Sequence, residues 1–128
     1  MQILKSDLVV CVDVDDTLVS WSQLEHIPEC INIRGVIEID FNDVKATYQV
    51  YSDNVESLMT HHHKGHYIVV WSGSGCEWAL AVVEALKLEA YVDVVMAKPR
   101  WLLDDMKPEE FMPRPYWGAG DPGKAKIK

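Results

Sequence analysis

Val9-Val10-Cys11-Val12-Asp13-Val14-Asp15-Asp16-Thr17-Leu18-Val19 decides how this chain is read. Its first four residues are apolar and mostly β-branched. Such a run predicts a strand buried on both faces, as in a parallel sheet. The run then breaks into carboxylates. A parallel strand that delivers acids at its carboxyl end puts them where ligands gather in open α/β sheets.

The pattern repeats outward from that stretch. Tyr67 to Trp71 is a second apolar run and ends in Ser72-Gly73-Ser74-Gly75. Val92 to Met96 is a third, followed by Lys98. Trp101 to Leu103 reads as a short fourth strand ending in Asp104-Asp105. Helical spacing fills the gaps. Ser52 can cap a helix running to about Lys64, with Val55, Leu58, Met59 and His62 on one face and Gly65 as the stop. Ala79, Val82, Val83 and Leu86 share one face of the next helix. Strands alternating with helices predict an α/β fold: a Rossmann-like parallel sheet with helices on both faces. Ile37, Ile39 and Phe41 alternate, as do Val44, Ala46, Tyr48 and Val50, with Asn42-Asp43 between them. That predicts a β-hairpin flap at about residues 35–51. Residues 21–34 are irregular and contain Pro28. Pro108, Pro113, Pro115 and Pro122 mark an irregular C-terminal segment at about residues 107–128. The 128 residues suit a single domain, 1–128.

Composition narrows the class. Hydrophobic residues make up 48% and charged residues 25%, as in globular chains and unlike disordered ones. No apolar run approaches the roughly 20 residues of a membrane span, and the N-terminus lacks a signal-peptide pattern. A cytoplasmic protein without membrane association is expected. Cys11, Cys30 and Cys76 cannot all pair within one chain, and none has zinc or redox spacing, so reduced thiols are expected. The net charge of −8 disfavours nucleic acid as a partner, and the basic tail of Lys124, Lys126 and Lys128 is short.

Two carboxylates two residues apart, just past a strand, can face one site. Close like charges are costly unless a cation or a proton offsets them. Mg²⁺ takes oxygen ligands and keeps waters and substrate oxygens in its shell. One aspartate could then bind metal and attack phosphorus while the other delivers a proton to the leaving group. A bare Asp-x-Asp is usually an acidic turn; the apolar strand before it and Thr17-Leu18 after it set this one apart.

The stretch Val9 to Leu18 resembles the first motif of the haloacid dehalogenase (HAD) superfamily of phosphatases: an apolar strand, then Asp-x-Asp-x-Thr, then an apolar residue. The resemblance implies a Rossmann-like HAD fold, Mg²⁺ as cofactor and an aspartyl-phosphate intermediate. It makes Asp13 the nucleophile. It makes Asp15 the general acid and then the base for water, with its backbone carbonyl on the metal. Thr17 would help fix the loop. Tyr67 to Ser72 is similar to the second motif, so Ser72, with backbone N–H groups such as that of Gly73, would hold a phosphoryl oxygen. Lys98, in Ala97-Lys98-Pro99, would neutralise phosphate charge and steady the nucleophile. Trp101 to Asp105 is similar to the last motif. By it Asp105 would ligate the metal, with Asp104 orienting Lys98 or a metal-bound water. Lys98 stands closer to the acid pair than in many members of the superfamily.

The expected activity is therefore Mg²⁺-dependent hydrolysis of a phosphomonoester. The alternatives are a phosphotransferase on the same scaffold and an inactive binding module. About 35 residues separate the first motif from the first helix, which is room for a hairpin and not for a large cap domain. A small phosphorylated molecule is the favoured substrate, with a nucleic-acid end disfavoured by charge and a second subunit of a homodimer as one candidate lid. His61, His62, His63 and His66 read as a solvated helix end, because consecutive helical positions diverge by about 100°. Trp21 could wall the site or pack, Glu77 reads as a first-turn helix acid, and nothing marks Cys76 as a nucleophile.

Overall fold

A computed structural model describes residues 1, 3, 8–24 and 35–112. Pro28, Cys30, Pro113, Pro115, Pro122 and the lysine tail, around which an irregular chain is expected, lie outside the described residues.

The chain is α/β. Its elements are β1 (Val9–Asp13), β2 (Val36–Phe41), β3 (Val44–Gln49), α1 (Ser52–His63), β4 (Tyr67–Ser72), α2 (Cys76–Ala85), β5 (Val94–Ala97) and α3 (Pro108–Phe111). Strands β1, β4 and β5 form a parallel sheet in that order, with β4 central. The central strand is the most buried of the three, as a strand flanked on both edges should be. Register is what matters for the site: Asp13 pairs with Trp71, and Trp71 with Met96. The carboxyl ends of all three strands are therefore level.

The hairpin forms a separate antiparallel sheet, β2 with β3, in the alternation the sequence predicts. Its turn residues, Asn42 and Asp43, both have positive φ (52° and 62°). That is the two-residue turn whose twist matches the flanking strands, and Asn and Asp tolerate the left-handed conformation best after glycine.

Two expectations are corrected. The first concerns layers. Val10, Val12, Ile68, Val70 and Val95 share one face of the sheet and join the core with Leu58 of α1 and Ala79, Val82 and Val83 of α2. Both long helices therefore lie on this face, and neither covers the face of Cys11, Val69 and Trp71. Strand order explains it. The sheet grows in one direction from β1 through β4 to β5, and successive right-handed crossovers in one direction put their helices on one side. Helices on both faces need a reversal of strand order.

The second correction is the fourth strand that would have supplied such a reversal. Trp101 to Leu103 is in no sheet, and Trp101 and Leu103 are 95% and 105% exposed. Smaller shifts accompany these. Ser52 is the first helical residue of α1 and not its cap; Tyr51 takes that place without a side-chain hydrogen bond. The third strand begins at Val94. Among the described residues the C-terminal segment contains a short helix, α3, with Pro108 in its first turn and Glu110 accepting the Lys107 backbone N–H at 2.9 Å.

Among the described residues no helix is long and apolar enough to cross a membrane. Of the cysteines there, Cys76 is exposed and Cys11 half-buried, and burial pushes the Cys11 thiol up. Among the described residues the histidines, His61, His62, His63 and His66, do not converge on one point. His61 and His66 meet through their Nδ1 atoms at 2.9 Å, while His62 and His63 pack edge-on against Tyr91.

Candidate active site

The loop after β1 is built from within. The backbone N–H groups of Thr17, Leu18 and Val19 all donate to the Val14 carbonyl, at 3.2, 2.9 and 3.3 Å. One carbonyl gathering three donors winds the loop into a tight knot. Val14, Leu18 and Val19 are fully buried beneath it. Their anchoring turns the intervening acids outward. Asp16 takes positive φ (57°) and accepts the Trp21 backbone N–H at 2.8 Å. Asn54 of α1 donates its amide to the Thr17 carbonyl at 2.8 Å. Thr17 is thus fixed through its backbone.

Asp13 ends β1 and faces Lys98, which follows β5, with Oδ1 and Nζ 3.9 Å apart. The lysine's backbone N–H donates to the Ser72 carbonyl at 2.9 Å, which ties the loop after β5 to the end of β4. Burial pushes the Asp13 carboxyl above the ordinary carboxylate range. Lys98 and the Val14 backbone N–H pull it down, and Asp15 and Asp16 add to the rise. A half-buried acid with one loose cationic partner is a group held ready for another cation or an electrophile.

Ser72 ends β4 and is fully buried. Its Oγ accepts the Ser74 backbone N–H at 3.0 Å and donates to Asp15 Oδ2 at 3.3 Å. Ser74 Oγ donates to the same oxygen at 3.1 Å. The turn Ser72–Gly75 then enters α2, with Gly75 at φ 108° where a side chain would be strained. At Gly73 nothing lies within 4 Å of where a Cβ would sit, so the backbone there is open to a ligand.

Asp15 has a third partner that the sequence reading missed. Trp78 Nε1 donates to Asp15 Oδ1 at 2.9 Å. The signal was available: Trp78 sits in the apolar face of a helix three residues after Gly75, and a buried indole N–H needs an acceptor. Asp16 and Ser74 were missed as well: Asp16 acts through a local backbone turn that no spacing rule displays, and Ser74 through a hydroxyl whose partner, Asp15, lies 59 residues away.

The site therefore brings together Asp13, Asp15, Ser72, Gly73 and Lys98 from the level ends of β1, β4 and β5. It does not bring in Asp104 and Asp105. Both are exposed, and Asp104 Oδ1 accepts the Met106 backbone N–H at 2.9 Å in a local turn. Among the described residues no group of three or more His, Cys, Asp or Glu side chains is placed to hold a metal ion. The donor the site presents is an oxygen, the Asp13 carboxylate, and the resemblance adds the Asp15 backbone carbonyl. That chemistry fits Mg²⁺, which is commonly held by one or two carboxylates with waters and substrate oxygens completing the shell. Trp21 is exposed, so its side chain does not serve the core.

Comparison with family models, with curated proteins and with solved structures finds no match to this chain. Its geometry and its resemblance in motif are what speak for its function.

Proposed function

We propose that the protein is a Mg²⁺-dependent phosphomonoester hydrolase of HAD type, acting through an aspartyl-phosphate on Asp13. The supporting observation is the meeting of three strand ends: the carboxylate of Asp15, after β1, touches the hydroxyl of Ser72 at the end of β4, while Asp13 faces Lys98 after β5. A nucleophile, an acid, a phosphate-binding hydroxyl and a cation then border one space.

In this reading the phosphoryl group enters beside Gly73, where the backbone is open, and near the first turn of α2, which favours an anion. Ser72 Oγ turns from Asp15 to a phosphoryl oxygen, and Lys98 meets a second. The Asp13 carboxylate attacks phosphorus, a new O–P bond forms and the ester P–O bond breaks. Asp15 gives its proton to the departing alkoxide. It then takes a proton from water as that water attacks phosphorus and releases Asp13. Mg²⁺, held by Asp13 and the Asp15 carbonyl, would supply charge neutralisation at the phosphoryl oxygens. The chain's own work is positioning. The Rossmann-like character of the sheet belongs to this proposal as well.

One observation favours a second reading. Asp104 and Asp105 stand outside the site, as they would in a phosphate-binding module that does not turn over. The test is phosphate release from p-nitrophenyl phosphate with and without Mg²⁺, for wild type and Asp13→Asn. Mg²⁺-dependent release abolished in Asp13→Asn supports the hydrolase. Absence of release, together with no rise in melting temperature on adding Mg²⁺ and beryllium fluoride, would sink it.

A further inference from the structure

Trp78 is 8% exposed and sits in the first turn of α2. An indole has one N–H donor and no acceptor. Its donor goes to Asp15 Oδ1 at 2.9 Å. Its ring is gripped by the hairpin: Phe41 of β2 meets it edge-on with centroids 5.2 Å apart, and Tyr48 of β3 lies at 5.5 Å. This packing opposes rotation of the indole away from Asp15 and shields its N–H from water.

The other two donors to Asp15 differ in kind. Ser72 and Ser74 hydroxyls both reach Oδ2, the oxygen facing the phosphate loop. Hydroxyl protons rotate, and an incoming phosphoryl oxygen competes for them. Once substrate recruits them, Oδ2 is released to handle a proton and Oδ1 stays bound to Trp78.

We infer that Trp78, clamped by Phe41 and Tyr48, is the positioning residue that aims Asp15 Oδ2 at the leaving group, so that seating of the hairpin and aim of the acid are one event. The inference rests on the hydrolase reading above. Trp78 touches no substrate and acts through Asp15.

The readout must separate aim from general structure. Nitrophenolate leaves with little help from a proton; an alkoxide does not leave without one. Trp78→Phe keeps the aromatic packing and removes the N–H. With the full chain and Mg²⁺, this variant should lower kcat on glycerol 2-phosphate about tenfold, as expected for losing a hydrogen bond to the carboxylate that Asp15 becomes as it gives up its proton. On p-nitrophenyl phosphate the loss should stay within about threefold, with KM unchanged on both. Equal losses on the two esters would overturn the inference and leave the hydrolase standing. A second measurement needs no turnover and no Trp78 variant. In wild type labelled at its tryptophan indoles, one N–H should exchange slowly with solvent and lose that protection in Asp15→Ala. If no indole proton responds, the contact is absent and the inference fails. If the proton responds but wild type hydrolyses neither ester and ignores beryllium fluoride, the hydrolase reading has failed and the pair is a structural hydrogen bond only.

Discussion

Val9–Asp16 and Trp101–Asp105 are both short apolar runs that end in paired acids, yet one lies in the sheet and the other lies on the surface. The difference is in what each run finds beside it. Val9 to Asp13 pairs residue for residue with the central strand, and the loop beyond is pinned by three fully buried side chains. Trp101 follows Lys98-Pro99-Arg100 closely after β5. Parallel strands need a crossover of about a dozen residues or more, so a strand so near β5 has no chain with which to return alongside the sheet. A local pattern can specify an extended run with acids at its end; it cannot supply the connection that brings those acids home.

The comparison breaks most visibly in activity. Asp13→Asn should cost a factor of about 10³ or more in turnover, because it removes the attacking group. Asp105→Asn should cost less than about tenfold, below what loss of an outer partner of a metal typically costs. Comparable losses from the two variants, measured on one ester at saturating Mg²⁺, would mean that the second acid pair does reach the site when substrate and metal are bound.

Stability offers the next contrast. Leu58 is fully buried in the core, and Leu58→Ala should destabilise by about 2–5 kcal/mol through lost burial and a cavity. Leu103→Ala should change stability by less than about 0.5 kcal/mol, as other exposed substitutions do. Chemical denaturation of both variants checks the pair. A large loss at Leu103 would mean that this run packs against something.

What could be read from residues follows the same division. The three paired strands, both long helices and the hairpin were legible because period and turn chemistry are local: Asn42-Asp43 announces its turn without help from the rest of the chain. Asp13, Asp15, Ser72 and Lys98 were legible because strand ends become neighbours as soon as the strands pair. The failed strand and the one-sided layering depend on connection length and strand order, which no window of residues displays. Trp78 was hidden for another reason. Its partner lies 63 residues away in sequence, and only the crossing of α2 behind the loop of β1 makes them meet.

The smallest expected effect isolates the burial that Asp13 has and Trp101–Leu103 lacks. Burial holds the Asp13 carboxyl above its ordinary value of 3.8, against the pull of Lys98. Between 3.8 and the raised value the folded protein therefore binds more protons than the unfolded chain. Stability contributed by this group is present below that window and declines as pH rises through it. With chelator present to exclude divalent cations, wild type should show this decline in melting temperature, and Asp13→Asn should flatten it. Lys98→Met should steepen it, since the cation that opposes the rise is gone. Leu103→Ala should leave the slope at its wild-type value. A slope unchanged in Asp13→Asn would show that the carboxyl at the end of β1 is as well solvated as a surface acid, and the contrast between the two regions would then rest on packing alone.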